Sequence, residues 1–326
     1  MDLKLEFLDP KTISDSQIAE VSHVVSKSFK DFNASVGAVS EVVEEDFGHE
    51  QWAPVILQGI CKSYEAYAAV ADKGSGKIVG VSFVDVHAKG SRVATLGPVS
   101  SIASGAGKKT FVAACDHAEK LGFSTLVLMQ VAANSRSFSL YAKLGFEAKH
   151  TCQYVGGFLT SSDNPPPPPE SGGGGGVTLK AMVTEDIAEC ADLFLTAHGR
   201  DCGWDRRADI KGLLDGEMPF AMLVARDADG KVVGYTTGFF ISGHTVAKSQ
   251  DVFCAMFRES SRVHQERRLP CPRFHCPVEL TGLLSWSLAQ PGLKIFRASI
   301  IMARGHYEHT PWTNDGFVVT PSISGY

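Results

Sequence analysis

The stretch SGAGKKT, Ser104 to Thr110, combines small residues with two lysines and could bind a phosphate group. A nucleotide P-loop requires the order G-x-x-x-x-G-K-[ST], and here Gly107-Lys108 is followed by a second lysine. The stretch is therefore not a Walker A motif. The four amides from Gly105 to Lys108 can nevertheless surround an anion at the positive end of a helix, because glycines let the backbone approach closely.

A pair of candidate acid–base residues lies upstream of this stretch. Asp85 and His87 are two positions apart in VSFVDVH, so their side chains share one face of a predicted strand. Removing a proton from an attacking group needs a general base, and a carboxylate or an imidazole can serve. Asp85 and His87 are the first candidates for this base, although a polar pair at a hairpin end is also typical of a solvated surface. The acidic run Glu41 to Asp46 is an alternative, but it also fits the solvent-exposed face of a helix.

The surrounding elements place the glycine stretch at the end of a strand. RVATLGPVS is a predicted strand, SIASGAG a loop, KKTFVAACDHAEKLG a helix, STLVLMQVA a strand, NSRSFSLYAKLG a helix and FEAKHTCQYVG a strand. In the first of these helices Phe111, Ala114, Cys115 and Ala118 recur at helical spacing, which indicates a packing face. This order brings the loop amides and the helix N-terminus together at the carboxyl end of a strand.

The chain reads as two similar halves joined by a linker. The segment SSDNPPPPPESGGGGG has nothing apolar to bury, and we predict domains at 1–159 and 177–326 with a linker at 160–176. Each half opens with a strand and a helix and then carries a hairpin. GKIVG at Gly76–Gly80 and GKVVG at Gly230–Gly234 occupy the same place in the two hairpins, which indicates internal duplication.

The order of elements in the first half resembles the GNAT superfamily of acyl-CoA N-acyltransferases. Asn134, Tyr141, Gly145 and Phe146 match the short helix with which that family ends its core motif. The resemblance covers the first half from Leu3 to about Phe158, and the whole chain is similar to tandem members with a degraded second half. It implies an α/β fold of the α+β type, with two tandem domains that each have a mixed, mostly antiparallel sheet flanked by helices.

The resemblance also implies a cofactor and a set of site residues. The cofactor is acetyl-CoA or another acyl-CoA used as a co-substrate, and Tyr141 is the catalytic acid that protonates the departing thiolate. A packing role beside Leu140 and Leu144 is the alternative for this tyrosine. A backbone N–H of a splayed strand, here near Gly97 to Ser100, polarises the thioester carbonyl. Pro98 has no N–H, so the donor is Val99 or Ser100. The implied cofactor-binding residues are Val99, Ser100, Gly105, Ala106, Gly107, Lys108, Lys109, Thr110, Asn134 and Ser137.

The second half lacks the glycine loop with which the first half is predicted to bind an anion. No glycine occurs from His244 through Thr281, so this half cannot direct several amides onto one phosphate. KSQDVFCAMFRESSRVHQERR is a predicted helix with one apolar face, and Trp286 falls close to where the tyrosine would be. We predict that this half is a structural partner, with Tyr235, His244 or Trp204 available to an acceptor pocket.

The composition excludes several other classes of function. The 326 residues are 44% hydrophobic with a net charge of -5, so nothing indicates a nucleic-acid or anionic-membrane partner. No run approaches the ~18 apolar residues of a membrane span, and we predict a cytoplasmic monomer or homodimer. CPRFHC, Cys271 to Cys276, lacks C-x2-C spacing and a second pair, so we expect a strand and no metal.

These observations predict an N-acetyltransferase that transfers an acyl group from acyl-CoA to a small amine by direct attack in a ternary complex. One alternative is a non-catalytic acyl-CoA-binding or sensing protein, because Ile102 stands where the family has a polar residue. A GNAT-fold enzyme with other thioester chemistry is the second alternative, since a fold does not fix a function.

Overall fold

A computed structural model describes residues 3–36, 47, 52–71, 76–86, 92–159, 177–199, 205–216, 219–307 and 317–321. Residues pack into two compact units, one of Met1–Glu147 with Met302–Tyr307 and one of Ala148–Ile301 with residues nearer the C-terminus. The predicted linker at 160–176 lies outside the described residues, and the domain boundaries stay a prediction.

The first unit is built on five strands of the N-terminal half. They are β1 (Leu3–Leu8), β2 (Glu65–Ala71), β3 (Ile78–Asp85), β4 (Val93–Ser101) and β5 (Thr125–Val131). The strands lie in this order; the first four pair antiparallel, whereas β4 and β5 pair parallel. The prediction of a mixed, mostly antiparallel sheet is confirmed.

Helices flank this sheet: α1 (Asp15–Ser35), α2 (Trp52–Ser63), α3 (Ala106–Lys120) and α4 (Ser135–Lys143). Ser14 and Gln17 form a reciprocal capping box that fixes where α1 begins. The predicted packing face of α3 is confirmed, since its four apolar residues are buried. This helix starts at Ala106, two residues before the predicted start.

A segment of the C-terminal half completes the first unit. Strand β12 (Leu293–Gly305) ends there, because residues from Met302 onward belong to this unit. The Thr125 hydroxyl donates to the His306 carbonyl at 2.7 Å. Gly305 has a φ of +94°, and a Cβ there would lie 2.1 Å from the Ser124 carbonyl oxygen. The segment therefore runs against the start of β5 at a distance that only glycine permits.

The second unit has its own set of strands. They are β6 (Glu147–Gly157), β7 (Thr178–Ala181), β8 (Leu223–Arg226), β9 (Val232–Thr236), β10 (Thr245–Ala247), β11 (Arg273–Pro277) and β13 (Val318–Thr320), together with the part of β12 before Met302. The first residue of β6, Glu147, belongs to the first unit. One sheet has the order β13-β10-β9-β8-β7, and β6 lies between β12 and β11.

The helices of the second unit cover these strands. They are α5 (Ile187–His198), α6 (Arg207–Asp215), α7 (Gln250–Glu266) and α8 (Thr281–Leu288). Phe253 and Phe257 of α7 pack with Phe274 of β11 and Trp286 of α8 in one buried cluster. The bulky aromatic residues thus fill the space between the helices and the strands.

The two GK[IV]VG motifs, from which we predicted a duplication, have the same packing requirement at their last glycine. A Cβ on Gly80 of β3 would lie 2.8 Å from Cβ of Ala106 in α3. A Cβ on Gly234 of β9 would lie 2.6 Å from Cγ1 of Val252 in α7. In each half of the chain, counted from β1 and from β7, the last glycine of the motif lets the helix that follows the fourth strand approach the third strand closely.

Candidate active site

The parallel strands β4 and β5 separate part-way along their length. The last pair in register is Thr95 with Val127, although β4 continues to Ser101 and β5 to Val131. Backbone groups on the facing edges beyond this pair have no partner strand to bond. The separation creates a gap in which an extended ligand can bond to main chain on either side.

A bulge in β4 lies beside this gap. Gly97 and Pro98 both stand opposite the single residue Phe83, so β4 has one residue more than β3 at this point. The peptide bond between Gly97 and Pro98 is cis, and Pro98 has no N–H. Pro98 therefore cannot be the donor, and the two predicted donors, Val99 and Ser100, are the residues that follow it.

The hydrogen-bond ladder distinguishes between the two predicted donors. Ile102 donates its N–H to the carbonyl of Val79, and bonded and non-bonded pairs alternate along an antiparallel ladder. Ser100 therefore directs its N–H toward β3, whereas Val99 directs its N–H away from β3, to the side of the gap. The Ser101 N–H, of the same parity as Val99, donates to a side chain of α1. The geometry favours Val99 as the donor.

The glycine loop ends at the N-terminus of α3. Gly105 is the N-cap residue with φ of +82°, and no side chain caps the helix. The Ala106 N–H is used within the loop, on the Ala103 carbonyl at 3.2 Å. Gly107 and Lys108 stand in the first turn, where α-helix geometry supplies no intrahelical acceptor for the N–H. These two amides, at the positive end of the helix dipole, can bind a phosphate.

The last three residues of SGAGKKT point in different directions. Lys108 is exposed, at the loop. The Lys109 ammonium donates to the carbonyl of Leu3 in β1. Thr110 is fully buried, and its hydroxyl lies 2.8 Å from that of Ser82 in β3. The predicted phosphate contacts are therefore available to Lys108, while Lys109 and Thr110 bond to the sheet.

Tyr141 lies inside the first unit near α3. It is 6% exposed, and its ring centroid is 4.8 Å from that of Phe111. Asn134 caps α4 by accepting the Ser137 N–H at 3.0 Å, and the Ser137 side chain bonds to the tyrosine. Burial raises the pKa of Tyr141 above its usual range. The phenol stays protonated near neutral pH and can donate a proton or a hydrogen bond to a developing anion.

Asp85 lies at the base of the gap on the opposite face of the sheet. It is 6% exposed and stands directly across from Thr95, the last β4 residue that pairs with β5. Ser82 bonds to α3, so Asp85, three positions further along β3, faces the other side. The Thr95 hydroxyl is buried on that same side. His87, the other predicted base, lies outside the described residues, as does the acidic run Glu41 to Asp46.

Buried polar atoms border the gap on both strands. Among the described residues, the Oγ1 of Thr95, the Oγ of Ser100 and both amide atoms of Gln130 have no hydrogen-bond partner. Buried polar side chains in proteins are nearly always bonded, so such orphaned atoms indicate a polar ligand or water. Acyl-CoA fits these residues, since its pantetheine arm carries amides and its pyrophosphate suits the loop. The sequence analysis missed Gln130, a polar residue within the apolar run TLVLMQVA.

The second unit has no such loop among its described residues. Strand β10 ends at Ala247, and the N-cap of α7 is Ser249, whose hydroxyl accepts the Val252 N–H at 3.3 Å. Tyr235 and His244, the predicted pocket residues, are buried and bond to each other at 2.9 Å. Trp204 lies outside the described residues. The strand interpretation of CPRFHC is confirmed, since β11 covers most of it.

Two kinds of feature are absent from the described residues. No group of three or more metal-binding side chains comes together there. Likewise, no helix in that part of the chain combines the length and hydrophobicity that crossing a membrane requires.

Solved structures with this fold at low sequence identity include the following three. A candidate acetyltransferase from Pyrococcus horikoshii has a TM-score of 0.61 at 12% identity, covering 99% of this chain and 96% of that one. A GCN5-related N-acetyltransferase from Sphaerobacter thermophilus has 0.56 at 14%, covering 93% and 95%. A tandem GNAT protein from the clavulanic acid biosynthesis pathway has 0.59 at 11%, covering 94% and 100%.

Comparison with protein-family models and with curated proteins gave no match. At these identities the structural likenesses establish the fold. The chain has the fold of the GCN5-related N-acetyltransferases in its tandem form, which confirms the resemblance found in the sequence.

Proposed function

We propose that this protein is an acyl-CoA-dependent N-acyltransferase that uses acetyl-CoA to acylate a small amine. The observation that supports this most is the gap between β4 and β5, which leads to an anion-binding loop at the start of α3. One bound molecule with an amide-containing arm and a pyrophosphate fits both features. We also propose that the protein acts in the cytoplasm, as a monomer or homodimer, without nucleic-acid or membrane partners.

The Gly107 and Lys108 amides would hold the cofactor's pyrophosphate, with the exposed Lys108 ammonium adding positive charge. Asn134 and Ser137 contribute by fixing the start of α4. The edges of β4 and β5 and the buried polar side chains of Thr95, Ser100 and Gln130 would hold the cofactor's acyl-carrying arm. Coenzyme A supplies the activated thioester, and the chain's own residues orient it and exclude water.

In the proposed reaction, the neutral amine attacks the thioester carbonyl carbon and forms a C–N bond. The Val99 N–H stabilises the negative charge that develops on the carbonyl oxygen. The C–S bond then breaks, and Tyr141 donates its proton toward the departing thiolate. Asp85 accepts the proton that the amine loses. Asp85 lies on the face opposite α3, so the amine approaches from that face of the sheet.

Binding is tested with a matched pair of glycine variants at the two ends of α3. Gly105 and Gly122 both have positive φ, and an added Cβ at either position meets no atom within 4 Å. Ala at each site should cost about 1–2 kcal/mol of backbone strain. Only Gly105→Ala should weaken binding of acetyl-CoA and CoA in thermal-shift or calorimetric titrations. Equal affinities in both variants, or no binding by the wild type at millimolar ligand, would count against the proposal.

Turnover is tested by thiol release from acetyl-CoA with a panel of small amines. The proposed enzyme should release CoA only when a suitable amine is present. Tight binding without release toward any amine would favour the sensing alternative. Release without an amine product would favour other thioester chemistry.

A further inference from the structure

A side chain from the C-terminal half reaches the predicted catalytic helix. Arg304, near the end of β12, donates to the Leu144 carbonyl at 3.2 Å and to the Glu119 carboxylate at 2.6 Å. Its guanidinium carbon also lies 5.3 Å from the ring centroid of Phe146. All four residues belong to the first unit. One guanidinium thus contacts three groups that are distant from it in the sequence.

The contacts join the ends of two helices. Leu144 is the C-cap residue of α4, and Glu119 lies in the last turn of α3. A cation at a helix C-terminus satisfies its last carbonyls and complements the helix dipole. The opposite ends of these helices carry the glycine loop and Asn134. Arg304 therefore fixes the spacing of the two helices whose N-termini form the proposed cofactor site.

The same turn holds Tyr141 through two routes. The Tyr141 carbonyl accepts the N–H groups of Leu144 and Phe146, each at 3.0 Å. The Phe146 ring centroid is 6.3 Å from that of Tyr141 and faces the guanidinium. A Cβ on Gly145 would lie 3.5 Å from Cδ of Arg304, so the turn closes tightly around the arginine. A shift of Arg304 would therefore move the backbone and the ring that orient the phenol.

We propose that Arg304 is a positioning residue for Tyr141, supplied by the second half to the active site of the first. The inference rests on the proposed function and extends it. The second half thus contributes to the reaction although it has no cofactor loop of its own among its described residues. The three contacts act together: the ion pair to Glu119 anchors the side chain, and the other two hold the turn after α4.

The test compares Arg304→Met with Arg304→Lys. Methionine retains the apolar stem but loses every polar contact, whereas lysine can keep the ion pair to Glu119. We expect kcat to fall roughly 10–100-fold in Arg304→Met, since misplacement of a catalytic group by about 1 Å can cost that much. KM for acyl-CoA should change less than kcat, and Arg304→Lys should recover part of the loss. Arg262→Met is the control, because Arg262 forms comparable exposed ion pairs on α7.

A double variant separates positioning from general destabilisation. If Arg304 acts through the phenol, Arg304→Met should lower kcat little further when Tyr141 is already Phe. A merely structural role would instead lower the melting temperature and the folded fraction while leaving kcat per folded molecule unchanged. Either that result or full additivity of the two substitutions overturns the inference.

Two further measurements keep the inference distinguishable from the proposed function. Hydrogen exchange at the amides of Leu144 and Phe146 should quicken in Arg304→Met, whether or not turnover is assayed. Glu119→Gln should give a smaller effect on kcat and exchange, and it substitutes if Arg304→Met does not fold. Failure of the wild type to bind or turn over acyl-CoA refutes the proposed function. Wild-type turnover with unchanged kcat in Arg304→Met and Glu119→Gln refutes only the inference.

Discussion

Replacing Gly80 by alanine should displace the start of α3 from the sheet. The added Cβ would lie 2.8 Å from Cβ of Ala106 and 3.3 Å from its carbonyl carbon. Carbon atoms prefer about 3.5–4.0 Å, so the helix must move by roughly 0.7–1.2 Å. Overpacking of this kind costs about 1–3 kcal/mol, and each kcal/mol lowers the melting temperature by about 2–4 °C for a unit of this size.

The displacement should also weaken cofactor binding. The loop amides of Gly107 and Lys108 move with the first turn of α3, and a hydrogen bond near 2.9 Å that lengthens by about 1 Å is largely lost. We expect the Kd for acetyl-CoA to rise about tenfold or more, as one lost charge-assisted bond would give. Thermal unfolding and calorimetric titration measure the two effects separately.

Three variants control this prediction. Gly234→Ala creates the equivalent clash with Val252 in the second unit, so it should destabilise the protein without changing the Kd. Gly59→Ala adds a Cβ that meets nothing within 4 Å in α2 and should stabilise by roughly 0.5–1 kcal/mol. Ala106→Gly should partly rescue Gly80→Ala. Normal acetyl-CoA affinity in a destabilised Gly80→Ala protein would refute the coupling between helix position and cofactor site.

Three other substitutions test individual side chains. Tyr141→Phe should lower kcat by about 10²–10⁴-fold, as expected for loss of a general acid. Stability should change little, because the ring stays packed. An unchanged kcat in steady-state assays would exclude the acid role. Thr110→Val should lower the free energy of unfolding, measured in urea, by about 1–3 kcal/mol, because the buried Ser82 hydroxyl loses its hydrogen-bond partner. KM for acyl-CoA should not rise; a raised KM would contradict the placement of Thr110 against the sheet. Burial lowers the pKa of His275 to about 3 from 6.5, so the unfolded chain binds an extra proton between these values and stability falls as pH falls through that window. His275→Phe should remove about 1.4 kcal/mol per pH unit from this slope; equal slopes in both proteins would argue against a neutral buried histidine.

Some features near the site could be predicted from the sequence because they depend on near neighbours. The helix predicted from Asn134 is observed from Ser135 with Asn134 as its N-cap, and the free amides at the start of α3 are likewise local, since a helix end requires capping and exposes free amides within one turn. Thr110 shows how a motif can mislead. It lies four residues before Ala114 on the packing face of α3, a spacing that is typical of a buried position, but the resemblance to the GNAT superfamily assigned it to the cofactor.

Other features depend on partners far along the chain. The sequence named both Val99 and Ser100 as carbonyl donors, and only the pairing of β4 with β3 distinguishes the directions of their amides. The register also shows that Asp85 stands at the base of the gap, across from the last paired residue of β4.

The sequence by itself indicated the α/β class, the duplication and an anion-binding loop at SGAGKKT. These features depend on periodicity, glycine placement and helix ends, which involve only residues close together in the chain. Only the tertiary structure showed that Met302–Tyr307 belongs to the first unit and that Arg304 bonds to Leu144 and Glu119. The physical reason is that a strand's neighbour is chosen by which edge it can bond and which face it can bury. That choice involves residues more than 150 positions apart, which no local pattern records.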